Sequence, residues 1–555
     1  MATVFGIDLG TTYSCVARCD DQHNPSPIQP KNAVSGGVII PSVVYYEAES
    51  GIPIVGNSAK NRLGAPDSGK RILSFVKRYM GEDNYPDPIL IQNAVVTLSP
   101  IEGSACILHH LIASANEEEK GHGGTPTQKA VITIPASFNN KQRESTKKAA
   151  ELAGIDVLGL VHEPTAAAIS YGIKSGETIL VFDLGGGTLD VSIVTNNRGK
   201  YTVLAAAGDK DILKRHLGGK DWDDRLMSYI VEKHGYVFGR IPNLDEKSER
   251  WTMRNRIEEC KMDLSFNTKV SLSFPDWTSE EITRVEFERI TDDLVLDCLK
   301  VVETALEMAD NSSKDGKAKI DRCVLAGGSS NMPMIKNNLS RYLAGRVANG
   351  RNEADWLPVA KPDIAIAMGA AIYAKMLEEG TAQDNGVLKS IEEKSSHSYG
   401  TSYFQRIRKE DGEFEYIPRL KNLILSTDPM VFKSSPEEFY LRNDGQKSIS
   451  VDLYENSNTV RDFPLDDTYR KNYNVSKIFD EELNFEKEDV VTKDTAVTFT
   501  ARRNENGIIE ITVGYLGKES APFTIQTISP ILSKEGEQHI LHSIGLMDTP
   551  PEECK

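Results

Sequence analysis

The sequence predicts an α/β protein followed by a separate antiparallel β region, on three observations. Short apolar, β-branched runs alternate with helix-patterned stretches up to about residue 380. Residues 381–398 are then polar and charged, as a linker would be. From Tyr399 onward, apolar and polar residues alternate with a period of two. The 555 residues are 39% hydrophobic and 26% charged, the composition of a globular chain. That length predicts about three or four cores.

The first strand begins almost at once, at Phe5-Gly-Ile-Asp8. Ala130-Val-Ile-Thr-Ile-Pro135, Thr178-Ile-Leu-Val-Phe-Asp183 and Arg322-Cys-Val-Leu-Ala-Gly327 are continuously apolar and closed by turn chemistry. That is the pattern of strands covered on both faces by helices. Residues 140–154 read as one such helix, with Gly154 at its C-terminal end. In the C-terminal region Ser448-Ile-Ser-Val-Asp-Leu-Tyr454, Ala496-Val-Thr-Phe-Thr-Ala501 and Gly507-Ile-Ile-Glu-Ile-Thr-Val513 alternate. Asn443-Asp-Gly445 and Asn504-Glu-Asn-Gly507 supply turns. The β region should end near residue 530, with Ser533 placed to cap a short helix. The expected domains are therefore 1–380, a linker at 381–398, 399–530, and a tail at 531–555.

A net charge of −17 disfavours non-specific nucleic-acid binding, which needs a basic stripe. No window approaches the ~18 consecutive apolar residues of a membrane helix. The N-terminus has no basic segment followed by an apolar run and a cleavage site, so the expected compartment is cytoplasmic. The seven cysteines (15, 19, 106, 260, 298, 323 and 554) lack metal-site spacing and read as reduced thiols.

An internal echo carries the chemistry. Phe5-Gly-Ile-Asp8-Leu-Gly10-Thr11-Thr12-Tyr13 recurs as Val181-Phe-Asp183-Leu-Gly185-Gly186-Gly187-Thr188-Leu-Asp190. Each copy reads strand, aspartate, Gly/Thr turn, returning strand. Glycine lets the backbone bend so that several N–H groups point at a phosphate. Threonine hydroxyls add donors, and an aspartate at a strand end can hold a hydrated Mg²⁺. One such hairpin alone is more often a plain tight turn. Two, facing one another, would clamp the ends of a triphosphate. A second glycine motif is set aside: Gly64 to Lys70 fits P-loop spacing, but Arg71 stands where that motif needs a hydroxyl, and Pro66 interrupts it.

The two hairpins, together with His162-Glu163-Pro164, His216-Leu-Gly218-Gly219 and Val324-Leu-Ala-Gly327-Gly328-Ser329, resemble the heat-shock protein 70 (DnaK-type) chaperones. The resemblance is nearly continuous from residue 3 to about 376 and patchy beyond. It implies an actin-like two-lobed ATPase domain followed by a β-sandwich that binds extended apolar peptides. It implies ATP or ADP as ligand, with Mg²⁺ and, as a further ion, K⁺. Asp8, Asp183 and Asp190 would serve the metal, largely through water. Lys77, Glu163, Asp183 and Thr188 would be catalytic. Gly10, Thr11, Thr12, Tyr13, Gly185, Gly186, Gly187, Gly218 and Gly219 would cradle the phosphates. Glu258, Lys261 and Ser265, on one helix face by their spacing, would meet Gly327, Gly328, Ser329 and Asp363 across the adenosine. Without the family, Lys77 and Arg78 would read as an exposed basic pair.

The chain departs from the family at several points. Asn331 stands where a base-stacking arginine is common, and Met262 at a second stacking position. An inserted-looking stretch begins at Asp209, and the segment between Tyr85 and Ser99 looks short. The resemblance places Phe439, Ile449 and Val451 on a peptide cleft, whereas alternation alone leaves core or cleft open for Ile449, Val451 and Leu453. Arg442 stands where a small residue would arch over the peptide. Pro135 and Arg143 match positions that relay peptide binding to the ATP site, but Lys389 and Ser390 interrupt the apolar linker, and 531–555 is expected to be too short for a helical lid.

The expected function is an ATP-dependent chaperone, a slow Mg-dependent ATPase gripping unfolded polypeptides. A J-domain co-chaperone and a nucleotide exchange factor are implied as partners, with no nucleic acid and no membrane. Two alternatives stand beside it: an uncoupled nucleotide-binding holdase or regulator of a longer chaperone, and an actin-fold small-molecule kinase. ATP-accelerated peptide release separates the first from the second, and phosphate transfer to a sugar would revive the third.

Overall fold

The computed structural model describes residues 4–525 apart from 35–36, 63–67, 137, 198–199, 214, 239–246, 274–279, 313–316, 348–352, 358–361, 380–389, 393–396, 410–412, 427, 430–431, 488 and 504–508, together with 541 and 544–545. It divides into two compact units: Met1–Ala136, Ser145–Ile391 and Ile531–Lys555 form one, Ser137–Glu144 and Glu392–Pro530 the other.

In the first unit each copy of the echo nucleates its own sheet. Phe5–Asp8 pairs antiparallel with Tyr13–Cys19 and parallel with Lys129–Ile134, which continues parallel to Asp156–His162. Thr178–Leu184 repeats the arrangement, antiparallel to Leu189–Asn197 and parallel to Arg322–Ala326. The register sets Asp8 opposite Cys15 and Asp183 opposite Asp190. The apolar strands are buried along almost their whole length, because helices cover the sheets.

One covering helix, Pro362–Glu379, is rich in alanine and lies against the strands of the first sheet. Small residues let it approach closely: a Cβ on Gly6 would lie 2.0 Å from the Ala371 nitrogen. The second sheet carries a larger core, in which Phe182, Val191, Trp222, Ile257 and Val301 are fully buried. The helix Asn140–Leu152 forms as its pattern indicates, and Gly154 adopts φ 80° just beyond it.

The second unit is built from antiparallel strands in two sheets that share one core. One runs Asp462–Pro464, Phe414–Ile424, Ser398–Arg408, Ser448–Asn456, Ser476–Asn484. The other centres on Ala496–Arg503 paired with Ile509–Tyr515. Leu423, Val451, Leu453, Phe499, Ile511 and Val513 meet between them. The Asn504–Gly507 turn, the Ser533 cap, nearly all of the tail and most of the expected linker lie outside the described residues; of the linker only Ser390–Glu392, a short strand, and residues 397–398 are described. Among the described residues no helix is long and apolar enough to cross a membrane.

Candidate active site

The two Gly/Thr turns face each other. A Cβ on Gly186 would lie 1.7 Å from Thr12 Oγ1, and one on Gly187 would lie 2.5 Å from Thr11 Cγ2. Local hydrogen bonds fix each turn. In the first, Gly10 N–H donates to Ser14 Oγ (3.1 Å), and the Ser42 hydroxyl donates to Gly10 O (2.8 Å). In the second, Gly185 N–H donates to Thr188 O (3.0 Å), while Gly219 and Lys220 donate their N–H groups to Gly185 and Gly186 carbonyls, both at 2.9 Å. Gly218 and Gly219 thus begin the helix Gly219–Phe238 directly beneath that turn.

Asp209 ties this region together. It is fully buried, and its Oδ2 accepts from Leu189 N–H (3.1 Å) and Leu217 N–H (2.6 Å). The stretch that looked like a mere insertion in the sequence therefore supplies the anchor for both Gly-rich segments.

At the floor of the cleft a charge cluster is buried. Lys77 is 4% exposed and donates to Glu163, with Asp8 and Asp183 close enough to act on it electrostatically. Burial works against the Lys77 charge, but Glu163, Asp8 and Asp183 more than offset it and hold the ammonium above its usual range. Lys77 is delivered by the short helix Val76–Tyr79, which follows Phe75 in a left-handed conformation (φ 56°). That conformation costs a non-glycine residue about 1–2 kcal/mol, which the surrounding packing must offset.

Asp183 carries a clear electrostatic signature. Burial raises its carboxyl well above the ordinary range, reinforced by Glu163, Asp190 and Asp8 and opposed by Lys77. Its Oδ2 is buried with no hydrogen-bond partner among the described residues. Several carboxylates around one ammonium and one orphaned oxygen suit a cation. No three His, Cys, Asp or Glu side chains among the described residues converge as direct ligands of a bare ion. The buried carboxylates and the orphaned Asp183 oxygen are donors that would suit a hydrated cation such as Mg²⁺ held by Asp8 and Asp183. Asp8 also accepts from Thr133 Oγ1 at 3.0 Å.

Above this floor is a cavity of about 260 Å³. Asp8, Gly10, Thr11, Thr12, Tyr13, Lys77, Glu163, Asp183, Gly185, Gly186 and Thr188 line one part of it. Glu258, Lys261, Ser265, Gly327, Gly328 and Ser329 line another. Asp190, Gly187, Gly218 and Gly219 are not on its wall: Asp190 is 1% exposed beside Asp183, Gly187 faces Thr11 within the turn, and Gly218 packs against the Gly187 backbone with Gly219 next to it. Gly327 must be glycine. It sits at φ 75°, and a Cβ there would lie 2.4 Å from Leu184 O. Asp363 begins the helix Pro362–Glu379, but its side chain lies outside the described residues.

Lys60, Arg78 and Phe266 had no motif to reveal them as site residues, whereas Lys261 and Met262 were placed here by the resemblance. Lys60 bridges Tyr13 Oη (3.0 Å) and Glu258 (2.7 Å), joining the first hairpin to the helix Lys247–Phe266. Burial opposes ionisation of Glu258, but Lys60 and Lys261 outweigh it and lower its pKa; burial and Glu258 push the Tyr13 phenol up to about 12. Lys261 pairs with Asp223 at 2.8 Å and donates to Gly219 O at 3.0 Å. Arg78 is not a solvated partner of Lys77: its guanidinium donates twice to Gly187 O, at 3.1 and 2.8 Å. Phe266 and Met262 line the cavity from the same helix as Glu258. The P-loop look-alike is explained in part by Arg71, which is buried and donates to Leu90 and Gln92 carbonyls at 3.0 Å; residues 64–67 lie outside the described residues.

In the second unit the expected cleft residues are packed inward. Val451 is fully buried and Ile449 is 9% exposed, both in the shared core, so of the two placements their alternation allows, core is the one adopted. Phe439 is half-buried between Phe499 (5.5 Å) and Tyr403 (5.3 Å). Arg442 lies over the Phe404 and Tyr416 rings at 5.5 and 4.9 Å. In the relay segment Pro135 is buried after the strand Lys129–Ile134, and Arg143 is buried on the helix that begins at Asn140.

A family model described as Hsp70 protein matches residues 4–460, which spans both Gly/Thr turns, the Lys77–Glu163 pair and the first strands of the second unit. The chain belongs to the Hsp70 family.

Proposed function

We propose that this chain is an ATP-driven chaperone in which an actin-like nucleotide domain hydrolyses Mg·ATP and governs the grip of a β-sandwich on extended apolar segments. The observation that carries this reading is the pair of facing Gly/Thr turns over a buried Lys77–Glu163–Asp183 cluster. Backbone N–H groups and threonine hydroxyls of the two turns hold the phosphates. Asp8 and Asp183 would hold a hydrated Mg²⁺, which would supply positive charge against the phosphates. Lys77 offsets the negative charge that develops as the terminal phosphoryl leaves, and Glu163 keeps that ammonium oriented and protonated. Thr188, buried at the turn's end, adds a hydroxyl beside the reacting group. Hydrolysis on such a site is slow without help, which suits a J-domain partner and an exchange factor.

The test has two arms. Lys77→Ala should lower single-turnover ATP hydrolysis by at least ~100-fold while ATP still binds, since the adenosine wall lies elsewhere. Unchanged turnover would refute the assignment. In the second arm, dissociation of a fluorescent apolar heptapeptide is timed before and after Mg·ATP. Coupling free energies of ~1–3 kcal/mol predict roughly 5- to 150-fold faster release. Peptide binding with no acceleration would make the chain an uncoupled holdase.

A further inference from the structure

In a chain of net charge −17, one face of a hairpin in the second unit gathers arginines between aromatic rings. Phe404, Arg406 and Arg408 alternate along the strand Ser398–Arg408, and the register sets Tyr416 opposite Arg406 and Phe414 opposite Arg408. These five side chains therefore share one face. Arg442, just beyond the strand Glu437–Tyr440, joins them over the Phe404 and Tyr416 rings, and the Arg406 guanidinium lies 3.5 Å from the centre of the Phe414 ring. Phe404, Phe414 and Tyr416 are 57%, 45% and 37% exposed, and the three arginines are exposed with them. Glu415 is turned away: it sits opposite Ile407 on the other face and pairs with Lys409 at 3.9 Å. Among the described residues no carboxylate pairs with Arg406, Arg408 or Arg442. A guanidinium stacked on a ring has its flat face covered and its edge of N–H donors directed outward, already set for a carboxylate.

Resting on the peptide-gripping reading above, we infer that this face selects extended polypeptide segments that carry carboxylates at alternate positions. Residues two apart on a strand stand ~6.8 Å apart on one face, and so do alternate residues of an extended peptide laid along it. Arg406 and Arg408 each take one carboxylate, and an apolar side chain two positions further covers the Phe404 ring. Arg442 adds a third positive charge beside that apolar contact. A polyphosphate backbone is the poorer occupant, because it needs a longer basic stripe and meets a chain of net negative charge.

The experiment measures, by fluorescence anisotropy, binding of the full chain to the labelled heptapeptide Leu-Ser-Glu-Ser-Glu-Ser-Leu, to its counterparts with Gln or Lys in place of Glu, and to a short oligothymidylate. The Glu peptide should bind roughly five- to tenfold more tightly than the Gln peptide, and the Lys peptide more weakly than either. Raising the ionic strength should close the gap between Glu and Gln. In the double variant Arg406→Gln/Arg408→Gln, affinity for the Glu peptide should fall to that for the Gln peptide, whereas Arg406→Lys/Arg408→Lys should keep part of the preference. Equal losses for the Glu and Gln peptides in the glutamine variant would mark a structural effect and overturn the inference, as would tighter binding of the oligothymidylate than of the Glu peptide. If the parent chain binds the Glu and Gln peptides equally, the acidic preference is refuted while the peptide grip stands. If it binds no peptide, the peptide reading itself falls, and this inference with it.

Discussion

At the residue scale, burial decides which charges carry information about the site. Asp223 shows how. It lines the cavity, and burial raises its carboxyl to about 6; the Lys261 ammonium pulls against that rise and Glu258 adds to it. A carboxyl whose folded pKa exceeds its unfolded value of 3.8 binds its proton more tightly when folded. Its contribution to stability is therefore fully present below about pH 4 and is lost as pH rises through about 6. Asp223→Asn cannot ionise and removes this dependence. The melting temperature of the variant minus that of the parent should climb between pH 4 and 6.5 and flatten above. A difference that stays constant across that window would show that Asp223 titrates like an exposed carboxylate.

At the scale of elements, the sequence was most legible where backbone chemistry is stereotyped. The Gly/Thr turns following Asp8 and Asp183 follow from glycine and hydroxyl spacing, and the repeated hairpin follows from the echo, whereas the parallel strand beside each hairpin lies outside it. Lys60 and Arg78 were not legible, because long cations carry no periodic signal and find their partners only after the elements are assembled. Ile449 and Val451 illustrate a different limit: a period of two fixes which residues share a face but not whether that face meets the other sheet or a ligand. Asp209 falls between these cases. It opens the short helix Asp209–Leu213, and its role depends on two N–H groups, one 20 residues before it and one 8 after it. Asp209→Ala leaves both donors buried and unpaired, at a cost of ~1–3 kcal/mol each. The variant should melt earlier and should lose nucleotide affinity, because Leu189 and Leu217 flank the turn and the Gly218–Gly219 helix start. Parental stability in denaturant titration would show that the buried carboxylate is dispensable.

At the scale of the whole molecule, the two units have separate cores, one layered from helices and sheets and one lying chiefly between two sheets of strands. The cavity is lined only by residues of the first unit. A ligand stabilises what it binds by RT ln(1 + [L]/Kd), about 2.7 kcal/mol at a hundredfold excess over Kd, and it does so only for the cooperative unit whose unfolding destroys the site. Scanning calorimetry should accordingly resolve two transitions, and saturating Mg·ATP should raise one by several degrees. The other, belonging to the β-rich unit, should respond instead to an apolar peptide. If ATP moves both transitions together, the units unfold as one cooperative body, and nucleotide energy reaches the strands directly rather than through a change in peptide affinity alone.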